Sequence, residues 1–173
     1  MKLLKPFLST VVIFTLLTGS NLNAQGNSFF LIANSGISTP LLEEGIGFHI
    51  GLTSSYSLTQ HLAVEGQVSY VRTNIKSAFI SGRSGIANTC NLLAGARLYF
   101  NSEDKKVRPC INLLLGGMYN DEEKEGLDLD PEFGVGLSLG TFVEINKLIL
   151  GVSFDTPGNI IFKVGYRFSF KRE

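Results

Sequence analysis

The 173-residue chain carries 15 basic and 15 acidic residues, so its formal net charge is zero and nothing in that balance favours nucleic-acid binding. It contains 19 glycines, 13 phenylalanines and no tryptophan, and only 17% of its residues are charged. The mean hydropathy of +0.20 is high for a soluble secreted domain, yet no apolar run reaches the roughly 20 residues that a membrane-spanning helix needs. The apolar residues must therefore follow a finer pattern.

The N-terminal segment has the parts of a secretory signal peptide. Two lysines precede an apolar run from Phe7 to Thr18, and a cleavage site follows at Ala24. Leu22 occupies a position where a small residue is usual, which leaves the exact cut open. We predict a signal peptide at residues 1–24 and one exported domain at residues 25–173, a length that suits a single core.

The exported domain alternates apolar residues with small or polar ones, which is the period of β-strands whose two faces meet different environments. In chain order, five clear segments cover residues 46–53, 62–70, 133–145, 148–155 and 160–170. Three weaker strands are predicted at 28–35, 87–100 and 110–119, where both faces contain some apolar residues. Thr141 and Phe142 depart from the alternation of their segment.

The connections between these segments predict an eight-stranded up-and-down meander. One set falls near residues 57–60, 101–109 and 146–147, and the other near 37–44, 73–85, 120–130 and 155–159. The two sets alternate along the chain, as successive hairpins of a meander require. The two-residue turn at 146–147 sets Ile145 opposite Leu148, an apolar pair on one face.

Alternation alone does not say which face points outward, so a soluble secreted barrel with an apolar interior is the alternative to a membrane barrel. The second face consists chiefly of Gly, Ser, Ala and Asn with a few isolated charges, which favours a narrow lumen over a water-exposed surface. Aromatic residues cluster towards strand ends, at Tyr56, Phe100, Phe168 and Phe170 on one rim and at Tyr70, Tyr119, Phe133 and Phe154 on the other. That distribution is typical of the two interfacial girdles of membrane barrels.

Two segments carry a family resemblance: residues Tyr56–Glu65, at a turn into a strand, and the ending Val164–Phe170. On these the chain resembles the Gram-negative outer-membrane β-barrel family, the eight-stranded group that includes the OmpA transmembrane domain and OmpX-like proteins. The resemblance implies an all-β, eight-stranded antiparallel transmembrane barrel in the cell outer membrane. Both termini would lie in the periplasm, so the first set of connections would be periplasmic turns and the second set extracellular loops.

The same resemblance assigns a role to the last strand. The ending looks like the C-terminal signal by which the barrel insertion machinery recognises its clients, and its apolar positions are Val164, Tyr166, Phe168 and Phe170. It departs from the family pattern because residues 171–173 follow the last aromatic.

Candidate catalytic chemistry is sparse. Glycine clusters at 45–51 and 134–140 look superficially like nucleotide-binding loops, but their spacing is wrong and they lie within strands, so we interpret them as lumen packing. His49 is predicted to face the lumen and His61 to lie beside a turn, and neither has an evident Ser or Asp partner. We therefore predict no catalytic, cofactor or metal site.

The lumen-facing positions predict a network of paired charges that closes the barrel. Its members are Glu65, Arg97, Glu144, Lys163 and Arg167. Glu65 and Arg97 fall at similar heights on neighbouring strands, and Glu144 and Arg167 fall in the half that holds the termini. Isolated charges in such an interior would be costly, so pairing is expected.

Three further features bear on surface and redox chemistry. Residues 121–132 include seven acidic residues and one lysine, which predicts a solvated extracellular loop; divalent-ion binding is the alternative, although the spacing fits no EF-hand. Residues 78–80 form either an exposed adhesive patch or a strand extension. Cys90 and Cys110 are predicted at opposite ends of neighbouring strands, too far apart for a disulfide.

These features predict a non-enzymatic outer-membrane barrel with a structural or surface-interaction role through its extracellular loops. The predicted partners are outer-membrane lipids and lipopolysaccharide, the barrel insertion machinery, and an extracellular protein or ion at the loops, with no nucleic acid. Two alternatives stay open. One is a lipid-modifying or lipid-hydrolysing barrel enzyme, which needs a histidine and a hydroxyl or carboxylate at one rim; the other is a narrow transport or assembly component.

Overall fold

A computed structural model describes residues 28–41, 44–76, 84–102, 104–124 and 130–170 of the chain. Eight strands run through these ranges: β1 Phe29–Pro40, β2 Glu44–Ser57, β3 Leu62–Lys76, β4 Ser84–Tyr99, β5 Val107–Lys124, β6 Glu132–Ile145, β7 Leu148–Asp155 and β8 Asn159–Phe170. The predicted signal peptide and residues 78–80 lie outside the described residues. Within the described ranges, no helix is long and apolar enough to cross a membrane.

The strands form a closed antiparallel barrel in chain order. Each strand pairs with its sequence neighbours, and β8 pairs with β1 to complete the circle. A path that follows the paired residues once around the barrel leaves β1 at Phe30 and returns to it at Pro40, ten residues further along. A stagger of this size in an eight-stranded barrel corresponds to strands tilted by roughly 35–45°. The predicted all-β, eight-stranded up-and-down architecture is confirmed.

The two ends of the barrel are distinguished by the chain termini. We call the end where β1 begins and β8 finishes the terminal rim; connections at residues 58–61, 100–106 and 146–147 lie there. Strands are joined at the opposite rim through residues 41–43, 77–83, 125–131 and 156–158. Asn146 has a φ of 59°, a left-handed conformation that asparagine tolerates in a two-residue hairpin turn. Ile145 pairs with Leu148 across this turn, as predicted.

The two faces of the sheet differ as the alternation requires. Large apolar side chains cover the outside, with Ile46 70%, Leu113 50% and Phe162 58% exposed. The interior holds buried polar and charged residues together with a smaller apolar cluster that includes Phe30, Ile32 and Ile149. This distribution is the reverse of that in a soluble barrel, whose large apolar residues face inward.

Glycine allows close approach between neighbouring strands. A Cβ atom on Gly45 would lie 2.0 Å from the carbonyl oxygen of Asn74, and one on Gly116 would lie 2.1 Å from that of Leu92. No L-residue fits such a contact without a shift of the backbone. The glycine clusters at 45–51 and 134–140 lie within β2 and β6, which agrees with their interpretation as packing positions.

The strands at the opposite rim are longer than predicted. β1 continues to Pro40, β3 to Lys76 and β5 to Lys124, so the predicted loops at 37–44, 73–85 and 120–130 are shorter in the structure. The prediction ended these strands too early because their ends lack a regular apolar alternation: β5 is polar on both faces from Asn120 to Lys124, and β1 and β3 keep only the isolated Ile37 and Ile75. The hydrogen-bonded ladder continues there although the hydrophobic alternation stops.

Two interior residues were missing from the predicted charge network, and one of them was wrongly placed in a connection. β5 begins at Val107, so Arg108 points into the barrel and is 3% exposed, although it was predicted to lie in a turn. Asp155 was predicted both to end the strand at 148–155 and to begin the connection at 155–159; it is the last residue of β7 and fully buried. Phe142, which departed from the predicted alternation, faces the interior at 6% exposure beside Gly140 and Gly151, so the strand has no break there.

Candidate functional site

The barrel interior concentrates the charged and polar chemistry of the described residues. We divide it into two groups by height. The lower cluster, near the terminal rim, consists of Glu65, Arg97, Tyr99, Arg108, Asn112, Glu144 and Arg167. The upper cluster, towards the opposite rim, consists of Ser38, His49, Thr73, Ser138, Asp155, Asn159 and Lys163.

The first ion pair of the lower cluster joins β3 to β4. Arg97 Nε lies 2.8 Å from Glu65 Oε1, and the two residues are 3% and 2% exposed. The amide of Asn112 on β5 donates a hydrogen bond to the other carboxylate oxygen at 3.4 Å. The Arg97 guanidinium also lies 5.3 Å from the ring centroid of Phe142 on β6. The pair therefore links four consecutive strands in the interior.

Glu144 on β6 forms the second centre of the lower cluster. Its carboxylate lies 2.7 Å from Arg167 Nη1 and 3.7 Å from Arg108 Nη1, and the hydroxyl of Tyr99 donates to it at 3.4 Å. The Arg108 guanidinium stacks 3.8 Å from the ring centroid of Tyr99 and donates to the carbonyl oxygen of Gln60. One carboxylate thus holds two arginines and a tyrosine from three other strands.

Arg108 was absent from the predicted charge network, although its position in the alternation of β5 indicates that its side chain faces the interior. Arg108, Cys110 and Asn112 occupy alternate positions of β5, and all three are buried. A reading that started β5 two residues earlier would have placed the arginine inside. Pro109, a residue type that is rare inside strands, lies within β5 beside it.

The upper cluster is centred on Asp155. Its carboxylate accepts hydrogen bonds from Lys163 Nζ at 3.0 Å and from the hydroxyl of Ser138 at 2.6 Å. The partner of Lys163 is therefore Asp155, which the predicted charge network did not include. Ser38 on β1 bonds to Thr73 at 3.0 Å. All five predicted lumen charges lie in the interior, and Asp155 and Arg108 join them.

Neither histidine has the surroundings of a catalytic base. His49 is fully buried, and no described residue hydrogen-bonds to its ring nitrogens. His61 Nδ1 lies 3.0 Å from the carbonyl oxygen of Tyr99 at the terminal rim. Across the described ranges, no group of three or more His, Cys, Asp or Glu side chains is arranged to hold a metal ion. Residues 125–129 of the predicted acidic loop fall outside those ranges.

Little free space remains between the two clusters. The cavity there, lined by residues that include Gln67, Arg97, Asn112 and Lys163, offers about 10 Å³ to the centres of water molecules. That is room for about one water molecule. Among the described residues, the two clusters contain four cations and three anions. The cations are Arg97, Arg108, Lys163 and Arg167, and the anions are Glu65, Glu144 and Asp155.

The outer surface carries the residues of the predicted C-terminal signal and aromatic residues near the rims. Val164, Tyr166 and Phe168 are 50%, 45% and 46% exposed, and Phe170 is the last residue of β8. At the opposite rim Tyr119 contacts Phe133, with ring centroids 4.9 Å apart.

Both cysteines are free, as predicted. Cys110 pairs with Tyr99, nine residues from Cys90 along β4. This corresponds to roughly 30 Å along the strand, because each residue advances it by about 3.3 Å.

Comparison with known proteins finds similarity to solved structures, at the level of the fold. No protein-family model and no curated protein sequence matches the chain. Among solved structures, the attachment invasion locus protein Ail of Yersinia pestis is 16% identical, with 84% of this chain and all of that chain covered and a TM-score of 0.52. Neisserial surface protein A is 18% identical, with 86% and 100% covered and a TM-score of 0.52. The outer membrane enzyme PagL is 12% identical, with 80% and 98% covered and a TM-score of 0.48. The chain has the fold of the eight-stranded outer-membrane β-barrels.

Proposed function

We propose that this protein is a non-enzymatic barrel of a Gram-negative outer membrane with a structural or surface-interaction role. The observation that carries the proposal is the inverted distribution of side chains, with an apolar outside around a charged, filled interior. An apolar outer face suits the acyl chains of phospholipids and lipopolysaccharide, and a closed barrel satisfies its backbone groups without water. Those lipids are the first proposed partners.

The proposed orientation places both termini in the periplasm. Support comes from the strands at the opposite rim, where β3, β4 and β5 run to Lys76, Ser84 and Lys124 and so project beyond the short β7–β8 hairpin. Bacterial barrels carry their larger connections on the extracellular side. The opposite rim would then be the surface that meets proteins or ions outside the cell.

Assembly would rely on the two ends of the chain. Residues 1–24 would direct export and then be removed. The outward apolar positions Val164, Tyr166, Phe168 and Phe170 of β8 would be recognised by the barrel insertion machinery.

A non-enzymatic role is supported by how the interior groups are used. Glu65, Glu144 and Asp155 each contact a cation, and Glu144 contacts two. Carboxylates engaged in this way hold strands together and cannot readily exchange protons with a substrate. The proposed work of the protein is therefore done by the opposite rim on a rigid scaffold.

Cell fractionation and site-directed labelling test this proposal. Leu41→Cys places a thiol on an exposed side chain at the opposite rim, and Lys105→Cys places one at the terminal rim. We expect the protein in the outer-membrane fraction. A membrane-impermeant maleimide should label Leu41→Cys in intact cells and Lys105→Cys only after the outer membrane is permeabilised, with the wild type as background. Recovery as a soluble periplasmic protein would refute the location, and the reverse labelling pattern would refute the orientation.

A further inference from the structure

One titratable member of the upper cluster takes part in none of its hydrogen bonds. His49 lies in β2 and is fully buried, and no described residue bonds to either of its ring nitrogens. The small cavity between the two clusters is not lined by His49, so that space places no water molecule against the ring. Burial without a partner penalises any polar group, and it penalises a charged one far more. The neutral imidazole is therefore the form that suits the closed barrel.

The strand register places this imidazole next to a cation. His49 on β2 lies opposite Gly36 on β1, and Gly36 lies opposite Lys163 on β8. All three positions belong to the inner face, and the glycine puts no side chain between the other two. Neighbouring strands lie about 4.8 Å apart, so roughly 10 Å separates the two backbones. Charges at such a separation interact strongly where water does not screen them.

The residues that face His49 from the neighbouring strands offer it no free anion. Those of β1 and β3 are all uncharged: Asn34, Gly36, Ser38, Ser69, Val71 and Thr73. Beyond β1 the charged groups that act on His49 are Lys163 of β8 and Asp155 of β7. The Asp155 carboxylate already accepts hydrogen bonds from Lys163 and from Ser138. The two clusters hold one cation more than anions, so a protonated imidazole would add to an existing excess.

A proton on His49 would therefore disturb the upper cluster in particular. It would place a second cation beside Lys163, whose pair with Asp155 at 3.0 Å ties β8 to β7. Few other contacts resist there, because β7 has only eight residues. The lower cluster lies towards the terminal rim and keeps its own ion pairs, so the cost falls on one half of the barrel.

We propose that His49 is an acid-sensitive switch for the upper half of the barrel, the part that surrounds the upper cluster. Acid would favour a locally open state in which the imidazole is hydrated and protonated, while the lower half stays closed. The inference goes beyond the surface role and does not depend on which rim faces outward. A hydrated histidine takes up its proton at about pH 6.5, so the open state binds one proton more below that pH. The closed state is then favoured at neutral pH and loses that advantage as the pH falls.

Hydrogen exchange of backbone amides tests the switch, because it reports local opening. The chain contains only two histidines, so single variants isolate the effect. His49→Leu removes the titrating group and leaves an apolar side chain in the interior. His61→Leu is the matched control, because His61 is exposed at the terminal rim. The purified proteins are compared in lipid vesicles at about pH 7.5 and about pH 5.5, on either side of the value for a hydrated histidine.

The expected result is a change confined to the upper half. For the amides of residues 153–155 and 161–163, the ratio of the wild-type exchange rate to that of His49→Leu should grow about tenfold between the two pH values. The same ratio for residues 110–112 and 142–144, in the lower half, should stay constant. His61→Leu should behave like the wild type throughout. Comparison at equal pH removes the intrinsic pH dependence of exchange.

A second measurement needs no variant at position 49 and decides the matter if His49→Leu does not fold. The ring-proton NMR signals of the two histidines are followed as the pH is lowered, and the signal that His61→Leu lacks identifies His61. The His49 signal should keep its neutral position until the upper-half amides begin to exchange, because protonation requires opening.

Three results would overturn the proposal. A His49 signal that moves while the upper-half amides stay protected would show that the closed interior accommodates the charge. A ratio of exchange rates that does not depend on pH would show that His49 has no part in acid opening. Equal acceleration in both halves would show unfolding of the whole barrel instead of a local switch.

Discussion

Replacing Arg97 with alanine should strongly destabilise the barrel, because the change leaves a buried carboxylate without its cation. Glu65 is 2% exposed, and Arg97 lies 2.8 Å from it. At an effective dielectric constant of about 20, two unit charges at that separation attract by about 6 kcal/mol. The remaining hydrogen bond from Asn112 at 3.4 Å cannot replace this interaction. Breaking a buried pair by removing one partner costs about 3–5 kcal/mol, and we expect Arg97→Ala to fall in that range.

The measurement is reversible urea unfolding in lipid vesicles, with the folded fraction read from the mobility of unheated protein on gels. This readout suits a chain without tryptophan. Lys105→Ala is the matched control, since its ion pair with Asp104 at 3.3 Å is solvent-exposed and should contribute nothing measurable. Arg97→Met combined with Glu65→Gln removes both charges and should recover part of the loss. A loss below about 1 kcal/mol for Arg97→Ala would show that water already solvates Glu65 and that the interior is not desolvated.

Three other predictions concern the interior and the sheet. In planar bilayers the wild type should show no stable unitary current, because the lumen is filled; sizeable steps would reveal an open aqueous path. Gly116→Ala should cost about 1–3 kcal/mol by overpacking, since its Cβ would meet the Leu92 carbonyl at 2.1 Å, whereas Gly117→Ala has nothing within 4 Å and should be near neutral. Equal unfolding midpoints for the two would argue against the close approach. Cys90 and Cys110 should both react with a thiol reagent when the protein is unfolded without a reducing agent. If neither thiol reacted until a reducing agent was added, the two cysteines would form a disulfide, which would contradict the β4–β5 register.

The strand count and pairing could be read from the sequence because the two faces of the barrel meet different environments. Where lipid faces one side and small residues the other, as along β8, the alternation is regular and the prediction held. Ile145 and Leu148 were paired correctly because a two-residue turn fixes the register of its hairpin.

The prediction failed where the two faces of a strand no longer differ in polarity. Phe142 is apolar on the inner face, and it fits there because Gly140 and Gly151 leave space for its ring. The alternation within one strand cannot show that a large side chain is accommodated by a glycine, because Gly151 lies on the neighbouring strand. The polar residues of β5 from 119 to 124 extend the sheet beyond the apolar belt, where period two carries no information.

The interior partners were the least predictable part. Glu65 and Arg97 lie diagonally on neighbouring strands, with Arg97 opposite Ala63 and Glu65 opposite Gly95, and their similar heights were predicted. Asp155 and Lys163 also belong to one hairpin, but Asp155 stood at the boundary between a predicted strand and a predicted connection and was left out of the charge network. Arg108 reaches Glu144 only because the full register of β5 and β6 is in place. Side-chain pairing of this kind depends on stagger, which a count of strands does not supply.

The pairing of β1 with β8 has a consequence for how the chain reaches its final state. Seven of the strand pairs join sequence neighbours, while this seam brings Phe29 beside Phe170 from opposite ends of the domain. Contacts so distant in sequence carry the largest loop-closure entropy and form slowly. Until they form, two strand edges remain open, and acyl chains offer them no hydrogen bonds. Closure in lipid is therefore an all-or-none event, and a chain that lacks β8 loses the whole barrel rather than one eighth of it.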